Sequence, residues 1–274
     1  MMKGKLLIAT LGVALLPVAS LADHAWNDYH WARTTNSFDL TVINSTTNDW
    51  DEYVTLAIGD WSQSSVLNLV EDTSGSTSRK ERRQCRGGDG TVRICNLAYG
   101  QTGWLGIAGI SIDTNSHITT GYTKLNDTYF ASSFYNDPSW KLSVTCQELG
   151  HDVGLGHQDE DFNNDSLFSC MDYQDPPYEY ANAHDFDQLA AIYGHTDSYD
   201  SYSGGSGGGG GGGDGDGGCN APPGKGCNKG ALPGSNRDIG WGVSLGRRGQ
   251  QETFMRIDPD GTRHITHVTW ALGH

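Results

Sequence analysis

The sequence predicts an α+β or α/β domain that is followed by a glycine-rich segment and a small β-hairpin. Three patterns support this. Residues 38–43 alternate with the period of two that is typical of a half-buried strand, because Phe38, Leu40 and Val42 would face one side. Apolar side chains recur at steps of three and four over residues 50–61, as in an amphipathic helix. Residues 201–218 are nearly all Gly, Ser and Asp, so they cannot form a core.

The first 22 residues are typical of a secretory signal peptide. Lys3 and Lys5 precede an apolar run over residues 6–18, and small residues precede a predicted cut after Ala22. The apolar run is shorter than the roughly 20 residues that a membrane span needs. We therefore expect a secreted, extracellular protein without a membrane partner, and we expect it to be a monomer.

Charge and cysteine content narrow the class further. The formal net charge is −15, and it becomes −17 when Lys3 and Lys5 leave with the signal peptide. Such a chain would repel a phosphate backbone, so we expect no nucleic-acid partner. An exported chain is oxidised, and the order of the six cysteines suggests three local disulfides. These are Cys85 with Cys95, Cys146 with Cys170, and Cys219 with Cys227; metal thiolates are the alternative for the last two pairs.

The remaining elements of the predicted domain, residues 23–198, follow from local signals. The first helix has Thr47 or Asn48 as its N-cap, and a loop over residues 73–90 is closed by the first cysteine pair. Strands are predicted at residues 104–112 and 118–125. Asp137 and Pro138 are typical of a helix start, and that helix would run to about residue 153, where Gly154 can end it. A third helix is predicted over residues 185–193.

Beyond the domain we predict a flexible linker over residues 199–236, with a Cys219–Cys227 loop, and a hairpin module over residues 237–274. Residues 253–257 and 264–270 alternate on either side of the turn residues Asp258, Pro259, Asp260 and Gly261. The function of this hairpin cannot be read from the sequence, and a small surface appendage is the simplest expectation.

The chemically informative stretch is residues 147–157. Gln147 and His151 lie four residues apart, so a helix would direct them to one point, and Glu148 lies beside them. Gly154 would allow the chain to turn so that His157 returns to the same point. Two imidazoles, a neighbouring carboxylate and a glycine bend predict a catalytic zinc site with an open position for water.

This stretch resembles the motif H-E-x-x-H-x-x-G-x-x-H of the metzincin metallopeptidases, which is followed by a methionine-containing turn. Met171 and Tyr173 match that turn, and matrixin-like features extend the resemblance over roughly residues 30–195. The resemblance implies an α+β fold with a twisted mixed sheet, an active-site helix and a C-terminal helix. It also implies Zn²⁺ as cofactor, Glu148 as general base, Tyr173 as a zinc or oxyanion ligand, Met171 packed under the metal, and a protein or peptide substrate.

Gln147 departs from the family pattern, since a histidine normally stands at this position. An amide oxygen is a poorer zinc ligand than an imidazole nitrogen. Gln147 could bind through its oxygen, Tyr173 could complete the set, or a histidine from elsewhere could replace it. The sequence offers four candidates for that replacement: His24, His30, His117 and His184.

Three hypotheses follow. The first is a secreted zinc endopeptidase, and the second is a catalytically impaired pseudopeptidase or binding protein that retains the fold. The third is a surface or carbohydrate-binding adhesion module, which requires Trp26, Trp31, Trp241 and Trp270 to be exposed together. Oxygen donors over residues 158–165 could also hold Ca²⁺, but they lack the spacing of a known calcium loop, and a solvated acidic loop is the preferred explanation.

Overall fold

A computed structural model describes residues 24–202 and 240–273. The predicted signal peptide, most of the predicted linker and the predicted Cys219–Cys227 pair lie outside the described residues. Within the described part of the chain, no helix is long and apolar enough to cross a membrane.

The domain is built on a mixed sheet of nine strands, which agrees with the predicted α+β class. Eight of them follow the order β3-β2-β4-β6-β5-β9-β8-β7, and β1 pairs with β6. One half of the sheet is parallel (β1, β2, β3, β4 and β6), whereas β5, β7, β8 and β9 run antiparallel to their neighbours. The strands are β1 His30–Trp31, β2 Phe38–Asn44, β3 Leu67–Asp72, β4 Val92–Leu97, β5 Trp104–Ile112, β6 His117–Asn126, β7 Val243–Arg248, β8 Gln251–Ile257 and β9 Arg263–Trp270.

Five helices lie among the described residues. They are α1 Asn48–Trp61, α2 Arg79–Gln84, α3 Asp127–Phe130, α4 Pro138–Asp152 and α5 Ala183–Ile192. Of these, α4 packs against both α1 and the sheet. The Asp137 side chain accepts a hydrogen bond from Ser139 N and so caps α4, with Pro138 at its first turn. The prediction of a continuous loop over residues 73–90 is wrong, because Ser78 caps the short helix α2 within it.

Helix α4 is held from two sides by tryptophan side chains. The Trp61 indole, at the end of α1, donates a hydrogen bond to Cys146 O at 2.9 Å. The Trp31 indole, on β1, donates to Asp152 O at 3.0 Å. Both indoles are fully buried. Because these contacts fix the middle and the end of α4, they also fix the positions of Gln147, Glu148 and His151 between them.

The C-terminal hairpin forms, but the expectation that it is a surface appendage is wrong. Strand β9 pairs with β5 over Trp104–Ile112, so the hairpin extends the main sheet. Its outer face forms a second apolar cluster with β5, made of Trp104, Ile107, Trp241, Phe254, Val268 and Trp270. Local alternation predicted the strands of the hairpin, whereas their partner in the sheet is a long-range contact that no local pattern specifies.

Two disulfides join described residues, Cys85 with Cys95 and Cys146 with Cys170. The second links α4 to the segment that carries Met171, across 24 residues of sequence. We expect the Cys146→Ala/Cys170→Ala double substitution to lower the free energy of unfolding by about 3 kcal/mol, because the reduced chain has more unfolded conformations. Urea denaturation of the oxidised wild type and the variant measures this difference. An unchanged transition midpoint would contradict it.

Candidate metal centre

Two histidines converge at the end of α4. His151 is fully buried, and its Nδ1 donates to Leu155 O at 2.8 Å, so its Nε2 carries the lone pair. That lone pair faces the Gln251 amide nitrogen of strand β8 at 3.3 Å. Gly154 has φ +99°, where a side chain would collide with the carbonyl of Tyr29, so the chain can turn there only with glycine. After this turn, His157 Nε2 lies 3.0 Å from His151 Nε2. The structure thus brings together the two histidines that the motif predicted.

Gln147 faces the same point from the preceding turn of α4. Its Nε2 lies 3.1 Å from His157 Nε2 and donates to Thr269 Oγ1 at 2.9 Å. A half-turn of the amide would direct its oxygen to the histidines instead. Residue 147 therefore lies beside the two imidazoles, and its amide also contacts the C-terminal strand.

Glu148 lies next to this cluster and is fully buried. Its Oε1 accepts a hydrogen bond from Thr269 Oγ1 at 2.7 Å, whereas its Oε2 makes no hydrogen bond with another described side chain. Burial raises the pKa of this carboxyl group to about 8, and the Thr269 hydrogen bond partly opposes that rise. Glu148 can therefore both accept and release a proton near neutral pH, and one of its oxygens stays available.

The segment after His157 packs beneath α4. A Cβ atom built at Gly150 would lie only 2.6 Å from Met171 Sδ and 2.8 Å from a ring carbon of Trp61. Glycine at position 150 thus allows α4 to lie directly on the methionine turn. The Tyr173 ring lies 4.6 Å from the His157 ring, and burial raises the pKa of Tyr173 well above its ordinary value.

Sequence reasoning missed the C-terminal strand as part of this site. His267 lies against His151, with ring centroids 4.4 Å apart and planes inclined by 32°, and against Trp26 at 3.8 Å. Because the His267 ring lies over the His151 ring at this tilt, we interpret His267 as covering His151 and not as a third nitrogen donor. His267 and Thr269 are two residues apart on a strand, so alternation predicts that they share a face. It does not predict what that face meets.

The four histidines proposed as replacements have other partners, although His24 is near enough to help lower the pKa values of His151 and His157. His24 Nε2 is 3.2 Å from Asp185 Oδ1, and the His24 ring stacks on His184 with centroids 4.7 Å apart. His30 and His117 belong to a separate cluster on the other side of β1. The structure therefore gives no support to any of the four as the missing ligand.

The aspartates of the acidic stretch after His157 form hydrogen bonds with backbone groups of the same stretch. Asp159 Oδ1 accepts from the backbone N–H groups of Glu160 and Asp161, and Asp161 Oδ1 accepts from Asn163 N. Such contacts are ordinary for aspartates in turns. They provide no support for the predicted calcium site.

Burial keeps the imidazoles of the site neutral. It lowers the pKa of His157 to about 3 and those of His151 and His267 well below the ordinary value for histidine. Neutral imidazoles can ligate a metal without first releasing a proton.

The residues present fit a zinc ion. Ligands at about 2.0–2.2 Å from a tetrahedral zinc lie about 3.3–3.6 Å from one another, and a small separation of the two Nε2 atoms would reach that distance. Glu148 Oε2 and His267 Nε2 are both buried without a hydrogen-bond partner among the described residues. Buried polar atoms of this kind are usually satisfied, so a polar or cationic group beside Glu148 Oε2 is chemically reasonable.

The tryptophans argue against an adhesion surface. Trp26, Trp31, Trp241 and Trp270 are each at most 5% exposed, so the requirement that they be exposed together is not met. The adhesion hypothesis, as derived from these four side chains, is contradicted.

Comparison with known proteins finds distant structural similarity. No protein-family model matches the chain, and no curated protein matches it. Among solved structures, it is similar to high choriolytic enzyme 1, a hatching enzyme zinc-protease from Oryzias latipes, the medaka fish. The TM-score is 0.35 at 10% identity, over 60% of this chain and 94% of that chain. Because the similarity is this low, the function has to be inferred from the geometry of the site.

Proposed function

We propose that the chain is a zinc-dependent endopeptidase whose site is closed by its own C-terminal hairpin in the form described here. The observation that carries the proposal is the 3.0 Å approach of two neutral imidazole nitrogens, His151 Nε2 and His157 Nε2, beside the buried Glu148. Two metal-binding imidazoles and a carboxyl group at one point are the groups needed to hydrolyse a carbonyl compound, whereas packing alone does not require them.

His151 and His157 would hold the zinc ion, with the amide oxygen of Gln147 as a third donor. When bound there, zinc would supply a Lewis acid that activates water and polarises a substrate carbonyl. Glu148 would accept a proton from the attacking water and later donate it to the leaving amine. Tyr173, whose ring packs on His157, would donate its hydroxyl proton in a hydrogen bond to the developing oxyanion.

The closing element of the site is strand β9. Paired antiparallel with β5, it occupies the edge on which an extended substrate would form its backbone hydrogen bonds. Its side chains also occupy the site, since Thr269 bonds both Gln147 and Glu148 while His267 covers His151. A peptide can reach Glu148 only after β9 leaves, and we therefore expect a latent enzyme.

One observation favours a second candidate, a pseudopeptidase that binds without cleaving. The Gln147 amide nitrogen donates to Thr269 on the hairpin, and this bond stabilises the closed arrangement. In this case Gln147 would serve to hold the hairpin and would not serve as a metal ligand.

Zinc content and hydrolysis test the proposal together. The full chain, purified without added metal, is analysed for zinc by plasma mass spectrometry and assayed with unfolded casein. We expect chelator-sensitive hydrolysis, low in the wild type, and the loss of one zinc equivalent in His151→Ala. If His151→Ala binds as much zinc as the wild type, the proposed centre is wrong. A zinc-loaded protein that stays inactive when the hairpin is opened would favour the pseudopeptidase.

The substitution Gln147→His should tighten zinc binding, because a third imidazole nitrogen would lie one helical turn from His151. Loss of a partner that only orients a ligand already costs about 10- to 100-fold in affinity, so a new ligand should gain at least about tenfold. Competition with a fluorescent zinc chelator measures the change.

Gln63→His serves as the matched control, since Gln63 bonds Asp60 away from the site. An affinity equal to that of this control would show that residue 147 does not reach the metal. If Gln147→His also raises hydrolysis, the native chain is a weakened peptidase.

A further inference from the structure

We propose that His30, His195 and Asp197 form a second metal-binding site that takes Zn²⁺ or a similar dication. These three residues lie at the junction between β1 and the segment that follows α5. Their ligating atoms lie within 4.8 Å of one another. The proposal does not rest on the proposed peptidase function, because no residue is shared between the two sites.

The separations between donor atoms match a tetrahedral metal. His30 Nε2 lies 3.2 Å from His195 Nε2 and 3.6 Å from Asp197 Oδ2, and His195 Nε2 lies 3.6 Å from Asp197 Oδ1. Donors at about 2.0–2.2 Å from a tetrahedral zinc lie about 3.3–3.6 Å apart. The two 3.6 Å distances end on different oxygens of Asp197, so the carboxylate would have to turn to present one oxygen to a metal held by both imidazoles; one donor atom from each residue already lies within 4.8 Å of the others. Two imidazoles and a carboxylate are also a donor set that zinc prefers.

A hydrogen bond to the backbone orients the His30 ring and fixes which of its nitrogens can bind a metal. Its Nδ1 lies 2.8 Å from Asp28 O, a carbonyl that can only accept, so Nδ1 carries the proton and Nε2 offers its lone pair. This is the arrangement in which metal-bound histidines are usually held, with the second nitrogen bonded to a carbonyl or carboxylate. The His30 side chain is 11% exposed, so its ring has little freedom to turn away.

Asp197 is oriented in a similar way. Its Oδ2 accepts from Arg33 N at 3.0 Å, and its Oδ1 lies 3.3 Å from His117 Nε2. His117 Nδ1 in turn lies 2.5 Å from the hydroxyl of Tyr199. His117 thus contacts the carboxylate of Asp197 and is a positioning residue in this site. The rival explanation is an ion pair between Asp197 and protonated histidines, without a metal.

The location indicates a structural role. The segment after α5 joins the start of the domain through Asp197 N, which donates to Arg33 O at 2.7 Å. A metal on His30 and His195 would fasten the same two segments with stronger bonds. Since β1 also carries Trp31, whose indole donates to Asp152 O, this junction supports the end of α4.

Zinc stoichiometry and heat stability test the proposal. His195→Ala is the main variant, because the side chain is 54% exposed and its loss leaves the core intact. Asp197→Asn is the second, because an amide oxygen can still accept from Arg33 N while the charge is removed. The matched control is His264→Ala, a partly exposed histidine that pairs with Asp258. Zinc per chain is measured on the full chain after dialysis against a low concentration of Zn²⁺.

We expect two zinc ions per chain in the wild type and His264→Ala, and one in His195→Ala and Asp197→Asn. Added Zn²⁺ should raise the melting temperature of the wild type more than that of His195→Ala. His151→Ala should keep one zinc, which its combination with His195→Ala removes. If His195→Ala and Asp197→Asn bind as much zinc as His264→Ala, the cluster is an ion pair only and the proposal is overturned. If His195→Ala loses zinc and His151→Ala does not, the second site stands and the peptidase centre fails.

Discussion

Replacement of Glu148 by Gln is expected to lower hydrolysis by about 10²- to 10⁴-fold, which is the usual contribution of a positioned general base. Gln has nearly the same shape and can still accept from Thr269 through its amide oxygen, so the packing at 0% exposure should be kept. It cannot take a proton from water, however. Because Glu148 is not one of the proposed ligands, zinc content should not change.

The measurement is casein hydrolysis at equal zinc content. It is made in a protein whose hairpin is opened by Val268→Asp, the substitution described below, so that access of the substrate does not limit the rate. Glu52→Gln, an exposed change on α1, is the control. Turnover by Glu148→Gln equal to that of Glu52→Gln would remove Glu148 from the mechanism. A loss of zinc in Glu148→Gln would mean that the carboxylate is a ligand.

The substitution Val268→Asp should raise hydrolysis at least about tenfold over the wild type. Val268 lies on β9 and is fully buried in the apolar cluster that the hairpin forms with β5. Its side chain is on the face of β9 opposite His267 and Thr269, so the change leaves the site residues in place. Burial of a valine contributes about 1.5–3 kcal/mol, and an unpaired carboxylate in an apolar cluster costs more. Each 1.4 kcal/mol lost by the docked form raises the open population tenfold.

Val243→Asp is the matched control, since Val243 on β7 is 65% exposed and the same chemical change there disturbs nothing. Ala271→Pro provides a second way to loosen the hairpin, because it removes the hydrogen bond from Ala271 N to Gly103 O. Circular dichroism and zinc content establish that each protein is folded. Equal hydrolysis by Val268→Asp, Ala271→Pro and Val243→Asp proteins would show that the hairpin does not limit access to the site.

The features that were predicted correctly from the sequence are those that depend on residues close together in the chain. Asp137 and Pro138 set the start of α4, and the helical spacing of Gln147 and His151 placed both on one face. Strand β4 was missed because it is largely buried on both faces and shows little alternation. Strand β3 does alternate, with Leu67 and Leu69 buried, but over too few residues to stand out. The pairing of β9 with β5 could not be predicted either, since its register joins residues about 160 positions apart in the chain. The same holds for the cluster of His30 with His195, whose members meet only after both ends of the domain have folded.

Strand β5 has a neighbour on each side, β6 and β9, and this has a consequence for the behaviour of the opened protein in solution. Departure of β9 would leave a nine-residue strand with unpaired backbone groups beside the apolar side chains of Trp104 and Ile107. An edge of this kind pairs readily with any extended chain, including that of a second copy. The opened form should therefore self-associate as its concentration rises, and an extended peptide bound along β5 should keep it monomeric.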